Sequence, residues 1–180
     1  SFCRLYINEV YQGVYGVVEA VTSELLARTT DDPTAYLYEY HFTPSFHGEY
    51  PGDDLQTYKP MFEPRSHQKE ADSVLYGPIR DLFREVNQPD DSVWRERVEA
   101  LIDLEQFVKY VAVETYLSEI DGILAAGGMS NFYLYRPTGS TQHRLVPWDK
   151  DRTFSEYDSS VIAGADTNVI FSRALAYPDL

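Results

Sequence analysis

Residues 131–147 read NFYLYRPTGSTQHRLVP, two short runs rich in aromatic and branched side chains, 131–136 and 142–147, around the turn segment PTGSTQ. Neither run is long enough for a helix. The connection is also shorter than the roughly twelve residues a parallel crossover needs, so the two runs are predicted to pair as an antiparallel hairpin. The second run then ends abruptly in Trp148, Asp149, Lys150 and Asp151. Two carboxylates at the end of a buried strand need water, a counter-charge or a metal ion to offset their desolvation.

The rest of the chain constrains what that hairpin can join. CRLYINEVYQGVYGVVEAV alternates apolar and polar residues about Asn8-Glu9, which predicts a second antiparallel pair with Leu5, Ile7, Val10, Val14, Val17 and Val18 as its apolar supply. Gly13 and Gly16 in its second strand fit a bulge or close backbone contact better than a phosphate loop, since no full glycine fingerprint accompanies them. TAYLYEYHF, residues 34–42, is a further strand rich in β-forming side chains, and residues 43–69, with four prolines and two glycines, form a long irregular loop. From Ala71 the period becomes helical. One helix bends or restarts at Gly77-Pro78, a second follows Asp90 or Asp91 as N-cap, and a third follows Asp103. Phe107, Val108, Val111, Ala112, Tyr116 and Leu117 put apolar groups on more than one face of the third helix, which marks it as central. It is expected to run to Asp121-Gly122, with glycine in the left-handed terminal position, and TNVIFSRALA reads as a short last helix. Strands, helices and a returning hairpin together make an α+β chain.

At 180 residues this is one compact unit, and no run approaches the roughly 20 apolar residues of a membrane span. The formal charge of -14 repels phosphate backbones, so nucleic acid is not an expected partner; solubility is its plainest meaning. A single cysteine, Cys3, excludes an internal disulfide, and the four histidines form no pair at helical spacing for zinc. The chain opens at Ser1, without Met or an apolar leader, as a fragment of a longer protein would.

Asp121, Asn131 and Asp149 follow one another as a helix-end aspartate, a strand-head asparagine and a strand-end aspartate. Oxygen-only groups of this kind suit Mg²⁺ or Mn²⁺. A catalytic aspartate, then a metal-binding asparagine, then a metal aspartate after a hairpin is also the order of parts in protein kinases, although neither HRD nor DFG is present. The residues DG at 121, NFYLYR at 131 and VPWDKD at 146 resemble the D…HNYYLY…IPWDxD signature of the CotH family, atypical protein kinases named for a spore-coat protein. LYINEVYQGVYGVVEAV is similar to that family's vyvNGeyyGvYtltE segment, with Glu19 at the glutamate position.

The resemblance implies a divergent protein-kinase-like fold, here truncated. Residues 1–42 would supply N-lobe strands, 43–69 an irregular loop, and 70–180 a helical C-lobe with a catalytic hairpin at 131–147. It implies transfer of the ATP γ-phosphoryl group to Ser or Thr of a protein substrate, with Mg²⁺ or Mn²⁺, in a bacterial surface, secreted or spore-coat protein. Asp121 would orient the acceptor hydroxyl, Asn131 and Asp149 would hold the metal with Asp151 as an auxiliary ligand, and Trp148 would pack beside the base. Glu19 would pair with a cation, as a kinase glutamate does.

The chain also departs from the family. Asp121 and Asn131 stand ten positions apart, where about four residues usually intervene, and Glu39 occupies a place where a lysine is usual. Arg65, in MFEPRSH, is the candidate to restore a cation at the phosphates, and the family's upstream RGxSS…KKsy segment does not occur. A non-catalytic surface or adhesion module on the same fold is the alternative reading, and paired carboxylates such as Asp121 and Asp149 would also suit a glycosidase-like hydrolase.

Overall fold

The computed structural model describes residues 1–30, 32–156, 158 and 160–180. Strands β1 (Phe2–Ile7) and β2 (Val10–Gly16) form a two-stranded antiparallel hairpin, while β3 (Tyr36–Tyr40), β4 (Phe62–Pro64), β5 (Phe132–Arg136) and β6 (Arg144–Pro147) form an antiparallel sheet in the order β4-β3-β5-β6. Helix α1 (Ser23–Thr30) lies between the two sheets in sequence. The helical block comprises α2 (Asp72–Leu75), α3 (Gly77–Val86), α4 (Asp91–Glu99) and α5 (Leu104–Tyr116), and α6 (Val169–Ala174) follows the last strand. The α+β expectation holds.

The first hairpin turns where the sequence placed it. Asn8 and Glu9 both take left-handed backbone, which matches the twist of a two-residue hairpin turn. Opposite Leu5 and Tyr6 the register slips, leaving Gln12 unpaired beside Gly13 at φ 121°, so this glycine serves a bulge. The apolar side chains behave otherwise than expected: Ile7, Val10, Val14, Val17 and Val18 are all exposed. A two-stranded ribbon has no third strand or helix against which to bury them, and no other described strand pairs with it.

The four-stranded sheet is covered on both sides, which explains why its strands read as nearly continuous apolar runs. On one face Tyr38, Tyr40, Phe62, Phe132, Leu134 and Leu145 join the large core under α3, α4 and α5. On the other, Leu37, Tyr133 and Tyr135 pack with Val21 and Leu26, the latter from α1. Two of these elements were not anticipated. Helix α1 is short and half polar, and β4 lies inside the loop 43–69, where a strand of three residues ending in proline can serve only as an edge.

The helix signals fared better. Pro78 enters the first turn of α3, Asp90 accepts from Ser92 N at 3.0 Å, Asp103 from Gln106 N at 3.1 Å, and Asn168 caps α6. Helix α5, however, stops at Tyr116 rather than continuing to Asp121. The left-handed position that ends the turn is taken by Ser118, not by Gly122, and Tyr116, expected in the core, is exposed. Among the described residues no helix is long and apolar enough to cross a membrane. The polar stretch after Asp151 includes Tyr157 and Ser159, which lie outside the described residues.

His143 is wholly buried where β6 begins, its Nδ1 2.8 Å from Leu101 O, and burial pushes its pKa down to about 4. The folded chain thus holds this imidazole neutral at pH values where the unfolded chain protonates it. Stability from this group is complete above pH 6.5 and falls as pH drops toward 4, by about 3 kcal/mol across the window. Urea midpoints at pH 7 and pH 4.5 check this: His143→Gln is expected to lose less stability than the parent chain between the two, and equal losses would contradict it.

Candidate functional site

The β5–β6 ladder continues one step past its named ends, since Trp148 N donates to Asn131 O at 3.2 Å. At that open end both chains change direction. Asn131 has φ 58° and Asp149 φ 49°, backbone that asparagine and aspartate tolerate better than other side-chain-bearing residues. Left-handed residues clustered at the mouth of a hairpin direct attention to that mouth as a functional site.

Asn131 is half-buried and commits its amide nitrogen to Asp121, donating to the backbone O at 2.9 Å and to Oδ2 at 3.0 Å. With Nδ2 used in this way, Oδ1 is the amide's acceptor, and no described group donates to it. The segment between Asp121 and Asn131 folds into a compact loop: Ser130 N donates to Gly122 O at 3.1 Å, and Met129 N to Phe46 O at 2.8 Å. Ten positions of sequence therefore separate two side chains in direct contact. Asp149 and Asp151 are exposed, and neither carboxylate has a hydrogen-bond or ion-pair partner among the described residues.

Helix α5 holds this end of the hairpin through residues four apart on one face. Gln106 donates to Leu145 O at 3.0 Å and accepts from Leu145 N at 3.1 Å, completing the free edge of β6. Tyr110 OH donates to Asn131 O at 3.4 Å, and burial, with Glu114 next, drives its hydroxyl far above the ordinary range. Glu114, 6% exposed, accepts from Ile123 N at 2.8 Å, and Glu119 Oε1 accepts from Asp121 N, also at 2.8 Å. A cavity of about 550 Å³ opens beside this face, lined by Tyr110, Val113, Glu114, Leu117, Pro147 and Lys150. It borders the Asp149 segment without being lined by Asp121, Asn131 or Asp149. The sequence offered one signal for this arrangement: Gln106 and Glu114 interrupt the apolar pattern of a central helix at the spacing of a single face.

The residues expected on the nucleotide side are dispersed. Trp148 is half-buried and packs edge-on against Tyr133, ring centroids 5.7 Å apart. Arg65 is bound to Glu39 and, at 3.0 Å, to Glu63, the two glutamates standing opposite each other on β3 and β4. Its charge is matched twice over, and its hydrogen bond to Glu39 holds its pKa above the usual guanidinium range. Tyr133 lies against the same cluster, its hydroxyl pushed up to about 12 by burial and then by Glu39. Glu19 pairs with Arg28 of α1 on the exposed side of the molecule. Asp121 and Asn131 are thus brought together and Asp149 follows the residue paired with Asn131, whereas Arg65 and Glu19 each close an ion pair elsewhere.

Among the described residues no three His, Cys, Asp or Glu side chains group closely enough to hold a metal ion. A metal here would draw on mixed oxygens, the Asn131 amide together with a carboxylate. That fits a hard divalent cation keeping several waters, and does not fit zinc. A search of curated proteins finds no match. A family model described as "CotH kinase protein" matches residues 1–176. With nearly the whole length covered, the chain belongs to the CotH kinase protein family.

Proposed function

We propose that this chain carries an ATP-dependent protein Ser/Thr kinase activity of the CotH type, built on a kinase-like fold. The observation that carries the reading is the double hydrogen bond from Asn131 to Asp121, at 2.9 and 3.0 Å, made at the strand end that leads to Asp149. Despite their separation in sequence, three polar residues with kinase-like order share one end of one hairpin.

In this reading Asn131 Oδ1 and the Asp149 carboxylate hold Mg²⁺ or Mn²⁺, with Asp151 as an auxiliary oxygen donor. When bound, the metal neutralises charge on the phosphates. Asp121 accepts the proton of a Ser or Thr hydroxyl on the protein substrate, and its bond to Asn131 Nδ2 fixes the direction of the carboxylate. Trp148 lies beside the base, whereas Arg65 and Glu19, each held in an ion pair away from this end of the hairpin, take no part in it. The exposed carboxylates keep the site open to a substrate as large as a protein segment. Support for a surface, secreted or spore-coat location comes only from membership of the family.

A second reading, a non-catalytic binding module on the same fold, is favoured by one observation: Arg65 is neutralised by Glu39 and Glu63, so no spare cation is offered from that position to phosphate. Labelled ATP separates the two. Incubation with γ-labelled ATP, Mn²⁺ and a Ser/Thr-rich protein is expected to transfer label to hydroxyls in an EDTA-sensitive way. A chain that shifts in melting temperature with no nucleotide and transfers no label is the module.

A further inference from the structure

Among the side chains that hold the open end of the hairpin, Glu114 is the most deeply buried charge. Its Oε1 lies 2.5 Å from Lys150 Nζ, and the two side chains are 7% and 21% exposed. Oε2 accepts from Ile123 N at 2.8 Å. Space for that carboxylate is made by Gly122, where a Cβ would stand only 2.4 Å from Oε2. Any larger residue at this position would displace the Glu114 carboxylate, whereas the backbone of Gly122 is not left-handed.

We propose that Glu114 is a positioning residue, holding the loop that carries Asp121 through Ile123 N–H and the segment that carries Asp149 through Lys150. The inference rests on the site reading given above. Asp149 has left-handed backbone and a carboxylate without a described protein partner, so its place depends on its chain neighbours. One neighbour, Trp148, is tied to Asn131 O; the other, Lys150, is tied to Glu114 and lies 5.5 Å from the Tyr110 ring centre. A buried ion pair is a weak source of net stability, because desolvation offsets most of the attraction, but it strongly disfavours any arrangement that separates the partners. Here separation would mean movement of the Asp149 segment relative to α5.

Hydrogen exchange and Mn²⁺ binding by the 180-residue chain test the clamp. In Lys150→Met, exchange is expected to quicken over residues 148–153 and to stay unchanged over 121–124. Glu114→Ala is expected to quicken both segments. Glu114→Gln, which keeps an oxygen for Ile123 N–H, is expected to quicken only the first, with β5 and β6 equally protected throughout. Mn²⁺ affinity, read from the electron paramagnetic resonance of the free ion, is expected to weaken about tenfold to a hundredfold in Lys150→Met and Glu114→Ala. Quickening spread evenly over the chain would reduce Glu114 to an ordinary stabilising residue and overturn the proposal. So would unchanged exchange over 148–153 in Lys150→Met. Should Glu114→Ala not fold, the two variants that preserve volume decide the matter. A parent chain that binds no Mn²⁺ overturns the metal reading of the site, while the exchange pattern still decides the clamp.

Discussion

Asp149→Asn is expected to abolish metal-dependent nucleotide binding and to cut phosphoryl transfer at least about a hundredfold, while leaving the fold intact. The substitution removes a negative charge and almost nothing else. Asparagine accepts the left-handed backbone at this position as readily as aspartate does, so no strain is introduced. The side chain is exposed and has no described partner, so folding stability should stay within about 0.5 kcal/mol of the parent. Melting temperature without ligand measures the fold, and the shift with Mn²⁺ and ATP measures the site. A variant that keeps the ligand-induced shift removes Asp149 from the metal site; one that melts early without ligand makes Asp149 a structural residue.

Trp94→Ala is expected to cost about 3–5 kcal/mol of folding stability, a large part of the 5–15 kcal/mol that a domain of ordinary stability possesses. The indole is wholly buried on α4, stacks on Tyr177 at 5.9 Å and lies 4.9 Å from the Arg173 guanidinium. Alanine would leave a cavity between α4 and the segment after α6. The lost hydrogen bond contributes less. Nε1 donates to Val86 O at 2.9 Å, and that carbonyl keeps a second donor, Arg173 Nη1, also at 2.9 Å. Trp94→Phe should accordingly cost clearly less than Trp94→Ala. Urea unfolding of the three chains measures both differences; a loss below about 1 kcal/mol for the alanine variant would mean that the helices close over the gap.

Much of the fold that frames the site was legible because its signals are local. The turn between β5 and β6, the caps at Asp90 and Asp103 and the restart at Pro78 each follow from a few adjacent residues, and each formed where expected. What was not legible depends on partners distant in sequence. β4 is three residues long and exists only because β3 offers it an edge. The apolar residues of β1 and β2 alternate as core residues do, yet whether they are buried depends on a covering element that alternation cannot supply. The end of α5 was misplaced for a similar reason. Gly122 resembles a helix terminator, but its small size accommodates Glu114, a contact set by tertiary packing. The gap between Asp121 and Asn131 looked like a weakness in sequence and is a folded loop in space, because Ser130 and Met129 are anchored to Gly122 and Phe46. For Arg65, the motif suggested a phosphate contact, whereas cross-strand pairing sets it between two glutamates.

In the proposed site Asn131 and Asp149 hold one divalent cation beside Asp121. Crystals of the chain grown with Mn²⁺ and a non-hydrolysable ATP analogue, recorded at a wavelength where manganese scatters anomalously, test this arrangement. The expected result is a manganese peak about 2.1 Å from Asn131 Oδ1 and from an Asp149 carboxylate oxygen, with analogue phosphate oxygens completing the shell. Manganese bound elsewhere, or the analogue bound with no metal at these two residues, would contradict it.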